Sequence, residues 1–310
     1  MRKRFDAHVH IIPPEMLYAT DKRFSITREP FGRIRTASGY ELQLLVPCFE
    51  NSAFSAGALL KTMDYYQVEK AVIMQSLCFS MNESVAAAVQ AAPERLNGAM
   101  VIEPVAGWQD AMRYWREQGL RAVKFEMSAA MGFSSPKAYP QLRFNDPLMM
   151  ELFELAQQLE LTVTVDPSSI GGRGYQPEAL YEAARRFSGL HLVICHLGYP
   201  EAGMQPGSEK DARWRQMLEL ARLPNVWFDV SALPALFKPQ EYPYTEAVQA
   251  VTAFVKQYGG SKAVWGTDIP GTWMEATYPQ MIQMFERCGA LDEEEKENLF
   301  WRNARDAYRL

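Results

Sequence analysis

The sequence predicts an α/β fold, a (β/α)8 TIM barrel with an insertion after the first strand, and two observations carry that expectation. Short runs of β-branched and other apolar residues recur at 4–10, 70–75, 98–102, 121–126, 161–166, 192–196, 226–230 and 263–268. Between most of them lie longer stretches with apolar residues spaced by three and four, the helical period. Strands joined in succession through helices must run parallel, and eight such units suit a closed barrel better than an open sheet. The second observation lies just after the first strand. A doubly wound sheet usually has a Gly-rich phosphate loop there, whereas this chain has Asp6-Ala7-His8-Val9-His10 running into the turn Ile12-Pro13-Pro14.

Taken in order, the first strand is followed by residues 11–61, too long for a simple connection. Phe24, Phe31, Tyr40, Phe49 and Phe54 in this segment suggest a lid or small insertion over the barrel mouth. Helical patterns then follow at 83–92, 107–118, 147–160, 177–187, 210–220 and 245–258, with 274–288 and 292–307 after the eighth strand. The last of these begins with an acidic turn, which suits the positive end of a helix dipole. No repeat, low-complexity tract or linker divides the chain, so residues 1–310 read as one domain.

Composition narrows the function classes. Hydrophobic residues make up 48% and charged residues 22%, ordinary for a globular protein with a well-buried core. The net charge of −5 and the lack of a basic block beyond Arg2-Lys3-Arg4 argue against nucleic acid as a partner. No window approaches the roughly 20 apolar residues of a membrane span, and the start lacks a signal-peptide core, so a cytoplasmic protein with no membrane partner is expected. A homodimer is allowed by apolar surface such as 108–115. Cys48, Cys78, Cys195 and Cys288 are scattered without a C-x-x-C pair, so reduced thiols are expected. Strand alternation would turn Cys195 away from the face that carries His196, which makes it a buried structural thiol.

In a barrel of this kind the site lies at the carboxyl ends of the strands. Those ends read His8 and His10 on strand one, Lys124 and Glu126 on strand four, Asp166 on five, His196 on six and Asp268 on eight. Side chains two apart on a strand share a face, so His8 and His10 can offer nitrogens to one ion, or simply pack together. For a single strand end a capping role is the default reading. The same bias at five ends favours a metal or catalytic site. His191 begins its strand and so belongs at the opposite end, in a surface or capping role. Asp6 has the parity of His8 and would either orient an imidazole or help begin the turn.

Five stretches resemble the amidohydrolase superfamily, and within it the amidohydrolase-related group that holds hydrolases and decarboxylases. They are Phe5-Asp6-Ala7-His8-Val9-His10, Ala122-Val123-Lys124-Phe125, Val193-Ile194-Cys195-His196-Leu197-Gly198-Tyr199-Pro200, Asn225-Val226-Trp227-Phe228-Asp229-Val230-Ser231 and Trp265-Gly266-Thr267-Asp268-Ile269-Pro270. A closing Asn303-Ala304-Arg305 also resembles the family's C-terminal helix. The resemblance implies a divalent metal at His8 and His10 with Asp268 nearby, where Asp268 also shuttles a proton. It implies that His196 binds metal or polarises the substrate carbonyl. One position departs from the pattern. Where the family usually has a histidine at the end of strand five, this chain has Asp166.

Asp166 can still donate an oxygen, but a carboxylate in place of an imidazole makes the donor set harder. The expected cofactor is one divalent ion, zinc first, with manganese or magnesium as alternatives. In some family members the lysine matching Lys124 is carboxylated to bridge two metals. Unmodified, Lys124 would bind an anionic substrate or Glu126. The leading expectation is metal-dependent hydrolysis of a small-molecule amide, lactone or related C–N or C–O bond, with Asp268 and His196 as the catalytic residues. The alternatives are non-hydrolytic decarboxylation of a small aromatic or unsaturated acid and a catalytically inactive ligand-binding barrel. For an anionic substrate, Arg143 and Arg173 are candidates to hold a carboxylate, and Tyr199 and Trp273 to stack on a ring.

Overall fold

The computed structural model describes residues 2–310. Its central sheet contains β1 (Phe5–Val9), β5 (Lys70–Ile73), β6 (Leu96–Met100), β7 (Ala122–Glu126), β8 (Thr162–Asp166), β9 (His191–Ile194), β10 (Val226–Asp229) and β11 (Ala263–Val264), eight strands paired in that order and all parallel. The last strand returns to the first through Ala7 N–H to Trp265 O (3.0 Å), Asp268 N–H to His8 O (2.7 Å) and a parallel bridge between Val9 and Ile269. The barrel predicted from the strand count is therefore present, and all eight predicted runs became strands.

Around it lie α1 (Ala56–Tyr66), α2 (Asn82–Ala91), α3 (Trp108–Glu117), α4 (Pro147–Gln158), α5 (Pro177–Arg186), α6 (Glu209–Leu218), the short α7 (Leu233–Leu236), α8 (Thr245–Tyr258), α9 (Tyr278–Glu286), α10 (Glu293–Glu297) and α11 (Asn303–Tyr308). Local sequence sets several boundaries. Ser55 caps α1 by accepting from Ala58 N–H, Pro147 opens α4 where a missing N–H costs nothing, and Thr277 with Gln280 forms a capping box on α9. Helix α1 begins inside the 11–61 stretch, so the insertion ends at Ser55 and 56–61 belong to the barrel's own first helix. No helix is long and apolar enough to cross a membrane among the described residues.

Two apolar layers position everything else. Outward-facing strand residues such as Val123, Phe125, Val163, Val165, Ile194 and Phe228 pack against the helices. Inside the barrel, Phe5, Ala7, Val72, Met74, Ala99, Ala122, Val193, Trp227 and Val264 meet Ala304, Ala307 and Tyr308 of α11. Thr164 and Tyr308 hydroxyls lie 3.2 Å apart, and Thr162 donates to Ala307 O at 2.7 Å. The C-terminal helix thus plugs the amino end of the barrel, where His191 also bonds to Ala307 O at 3.1 Å. Polar side chains are left for the carboxyl end.

A bulge in β1 decides which of its residues join them. Asp6 pairs with Ala71 and Val9 with Ile73, a step of three residues opposite a step of two. Phe5 and Ala7 point into the barrel, the bulge shifts the phase, and His8 and His10 then face the mouth while Val9 joins the outer layer. Asp6 therefore does not share the face of His8, contrary to the parity expectation. It accepts from Thr267 N–H (2.9 Å), Thr267 Oγ1 (2.6 Å) and Tyr278 OH (2.6 Å), tying β1 to the segment after β11 and to α9. Burial lifts its pKa to about 7 against those donors.

The insertion carries β2 (Ile26–Glu29), β3 (Arg33–Thr36) and β4 (Glu41–Gln43), an antiparallel sheet. Gly32 makes the β2–β3 turn at φ +78°, and a Cβ there would meet Leu45 O at 2.3 Å. Reciprocal Ile12 and Phe54 backbone hydrogen bonds close the base of the insertion. Arg23 pairs with Asp21 and Glu103, joining it to the rim after β6.

Asp6→Ala should leave Tyr278 and Thr267 donors unmatched in the interior and lower unfolding free energy by about 3 kcal/mol. Urea denaturation checks this, and an unchanged midpoint would show that the Asp6 contacts carry no stability.

Candidate metal centre and active site

The carboxyl ends of β1, β7, β8, β9, β10 and β11 converge on one cavity of about 340 Å³. Its lining includes His8, His10, Lys124, Glu126, Asp166, His196, Tyr199 and Asp268, together with apolar side chains from the insertion. The backbone is bent sharply here. Ser168 (φ +68°), His196 (+57°), Leu197 (+51°), Ala232 (+57°) and Asp268 (+61°) all sit in the left-handed region just beyond strands β8 to β11. Each such non-Gly residue costs on the order of 1–3 kcal/mol, a pattern found where the surroundings hold functional groups in place.

Sequence reading singled out no role for Asp229, yet this side chain organises the centre. Fully buried at the end of β10, it accepts a hydrogen bond from His8 Nδ1–H at 3.0 Å. It also accepts from the His196 (3.0 Å) and Ser231 (3.1 Å) backbone N–H groups and from Ser231 Oγ (2.5 Å). Burial alone would raise its pKa, but His8, His196 and Ser231 hold it far below the usual carboxylate range. The signal was available in the alternation of β10, which places Trp227 and Asp229 on the inner face.

With Nδ1 committed to Asp229, His8 presents Nε2 toward His10 and Asp268. Its pKa falls to about 4, because burial and Lys124 oppose a charge more than the carboxylates favour one. The ring is neutral at pH 7, with a lone pair on Nε2, as a metal ligand requires. Asp268 Oδ1 lies 2.9 Å from His10 Nε2 and 3.6 Å from His8 Nε2. Donor atoms of these three residues all lie within 4.8 Å of one another. Two imidazoles and a carboxylate so spaced fit a single divalent ion.

His196 stands against this group, its ring centroid 4.9 Å from that of His8. Ser231 Oγ holds Nδ1 at 2.8 Å, and Nε2 lies 3.4 Å from Asp166 Oδ2. Burial opposes its charge, but Asp166, Asp229 and Asp268 outweigh that and raise its pKa to about 9. Asp166 is itself fixed by Ser168 N–H (2.9 Å) and, despite burial, held below its ordinary value by His196 and Lys124. The site thus brings together His8, His10, Asp166, His196 and Asp268. Tyr199 also lines it, its ring 5.5 Å from His196.

Lys124 is 2% exposed, with Nζ 3.2 Å from Cys195 Sγ. Cys195 therefore does not turn away from the face of His196, because β9 stops at Ile194 and residues 195–198 form a tight turn in which strand alternation no longer applies. The thiol is buried, as expected, but inside the barrel. Burial opposes the charge of Lys124, yet Cys195, Asp166 and Asp229 raise its pKa. It remains an ammonium at neutral pH, whereas carboxylation would need the free amine. Glu126 borders the cavity and accepts from Ser128 Oγ, and burial raises its pKa.

Three substrate-binding candidates lie elsewhere. Arg143 and Arg173 are exposed on the outer parts of their loops and do not line the cavity. Trp273 stacks on Phe49 at 5.8 Å and meets Phe54 edge-on at 5.2 Å, so its ring holds the insertion against the barrel instead of facing a ligand. The cavity arginines are Arg28 and Arg33, both from the insertion. No periodicity in the sequence marks which hairpin face turns inward.

The amidohydrolase family model matches residues 5–310. No match to a curated protein was found. Among solved structures, a putative 2-pyrone-4,6-dicarboxylic acid hydrolase from Pseudomonas putida is 19% identical, with TM-score 0.73 over 100% of this chain and 98% of that one. A zinc-bound amidohydrolase from Burkholderia multivorans is 17% identical, with TM-score 0.71 over 99% of both chains. The 5-carboxyvanillate decarboxylase of Sphingomonas paucimobilis is 16% identical, with TM-score 0.58 over 83% of this chain and 84% of that one. With a match running nearly end to end, the chain belongs to the amidohydrolase family.

Proposed function

We propose that the protein is a metal-dependent hydrolase of a small-molecule amide, lactone or related C–N or C–O bond. The observation that carries this reading is Asp268, a carboxylate 2.9 Å from His10 Nε2 and within reach of His8, on a strained backbone at the cavity floor. His8, His10 and Asp268 would hold the ion, with Asp166 and His196 beside them. Imidazole nitrogens favour zinc, and the two carboxylates leave manganese or magnesium as alternatives. A divalent ion there supplies Lewis acidity, which polarises a carbonyl and makes water a nucleophile near neutral pH.

The chain's own groups supply the rest. Burial works against the Asp268 charge, but His10, His8 and His196 keep its carboxyl well below the usual range, so it is an acceptor at neutral pH. In this reading it takes a proton from the attacking water and returns it to the leaving nitrogen or oxygen. His196, its Nδ1 fixed by Ser231, directs Nε2 at the substrate oxygen as negative charge develops there. Lys124 balances the surrounding carboxylates. Apolar walls from the insertion limit water around the reacting bond.

Chelator treatment should abolish turnover of amide or lactone substrates, and zinc or manganese should restore it. Turnover that survives complete metal removal, or survives His8→Ala, would refute the reading. Asp268→Asn keeps an oxygen donor but loses the base. It should retain bound metal in elemental analysis while kcat falls about 10²- to 10⁴-fold. Asp229→Asn removes the charge and one of the two acceptor oxygens; with the amide oxygen taken by the three donors on the Oδ1 side, an NH2 group faces His8 Nδ1 and no longer fixes its tautomer, and calorimetry should show metal affinity about 10- to 100-fold weaker. Reaction in ¹⁸O-labelled water separates hydrolysis from decarboxylation. The proposal requires one labelled oxygen in the product, whereas carbon dioxide release without label would favour the lyase chemistry.

A further inference from the structure

Three arginines stand on the insertion's antiparallel sheet, and their partners differ by face. Arg33 and Arg35 are matched by acids, with Arg33 3.0 Å from Glu41 and Arg35 3.1 Å from Glu41 and 3.4 Å from Glu29. Arg28 pairs across the β2–β3 ladder with Ile34, which is 5% exposed, and both side chains line the cavity. No carboxylate oxygen comes within the 4.0 Å ion-pair distance of Arg28 among the described residues. Its guanidinium donates to the Pro13 (2.8 Å) and Pro14 carbonyls. It is thus held in place by neutral acceptors and keeps its full charge. Burial lowers its pKa, and only the more distant Glu15 acts the other way.

We infer that Arg28 is the acid receptor of the cavity, selecting a small substrate with an apolar body and a carboxylate at the end remote from the reacting bond. A half-buried cation without a counter-ion carries a desolvation cost that an incoming anion relieves. Most other charged groups in the lining already have partners: Glu126 has Ser128, Asp166 has Ser168 and His196, Asp268 has His10, and Arg33 has Glu41. Lys124 has no ion pair either among the described residues, but it is 2% exposed, bonded to Cys195 and placed among the carboxylates of the metal end, where Asp166 and Asp229 favour its charge. The apolar part of the same lining includes Ile11, Ile12, Ile34, Leu45, Phe79 and Met131. The Pro13 carbonyl that anchors Arg28 is three residues beyond His10, so at most about 11 Å of backbone separates the receptor's anchor from the backbone of the metal ligand. The cavity volume of about 340 Å³ suits a substrate of metabolite size.

The geometry also explains what the insertion adds. Arg28 N–H bonds to Leu17 O at 2.7 Å, so backbone and side chain both fasten β2 to the segment leaving β1. The strand that ends in the proposed metal ligands therefore also positions the cation that reads the substrate's far end.

The inference rests on the hydrolase reading for the orientation of the substrate, but its test needs no turnover. Equilibrium binding of hexanoate and its neutral isostere hexanamide is measured by calorimetry or ligand-observed NMR, on the full chain, metal-loaded and chelator-treated. The acid should bind at least about tenfold more tightly than the amide in both forms. Arg28→Gln should erase that preference, Arg28→Lys should retain part of it, and Arg35→Gln should leave it intact. Thermal melts verify that the Arg28 variants are folded, and the lysine variant carries the test if the glutamine variant is not. Equal binding of acid and amide to the unaltered protein overturns the assignment, as does a preference that survives Arg28→Gln. A preference confined to the metal-loaded form makes the ion the receptor and also overturns it. Arg28-dependent acid binding without any hydrolysis would refute only the hydrolase reading, and hydrolysis without that dependence only this one.

Discussion

The site depends on one buried carboxylate. Asp229 gathers the His8 ring, the His196 backbone and both donors of Ser231 at the end of β10. Each contact fixes a choice that would otherwise be free. His8 is given one tautomer with Nε2 directed inward, the left-handed turn at His196 is held shut, and Ser231 is placed to restrain the His196 ring. Four hydrogen bonds satisfy the carboxylate, and the His196 imidazolium stands 3.9 Å away. The charge of Asp229 is thereby offset by groups that themselves belong to the reacting centre.

The barrel makes such concentration affordable in structural terms. Apolar side chains and the Tyr308 plug fill its amino end, so the inward residues at the other end can be polar without opening the core. Strained backbone at four successive strand ends is the counterpart of that arrangement. The insertion completes the cavity from above, and Trp273 between Phe49 and Phe54 fastens it to the loop that follows Asp268.

Much of this was legible in sequence because it rests on periodicity. Eight apolar runs gave eight strands, and the residues singled out at five strand ends line one cavity. What escaped reading arises where period fails or where distant elements meet. The β1 bulge reverses the parity of Asp6 relative to His8, and the turn at residues 195–198 brings Cys195 beside Lys124. Neither leaves a local composition signal. Arg143 and Arg173 fit an anion-binding role by type and position after a strand, but loop excursion takes them to the surface. Arg28 is nondescript in sequence, and only the folded hairpin, which pairs Arg33 and Arg35 with acids and leaves Arg28 on backbone carbonyls, distinguishes it. Asp229 lay within a family-like stretch, yet its role appears only when β9, β10 and β1 are brought together.

In the reading proposed above, β1, β10 and β11 together build one metal centre of defined composition. Anomalous diffraction from zinc-loaded crystals tests it most directly. A single strong peak is expected about 2.0–2.2 Å from His8 Nε2, His10 Nε2 and an Asp268 oxygen, with the His8 Nδ1 contact to Asp229 intact. A peak bonded to Cys195 Sγ, or none at the histidine pair in a fully loaded protein, would contradict it.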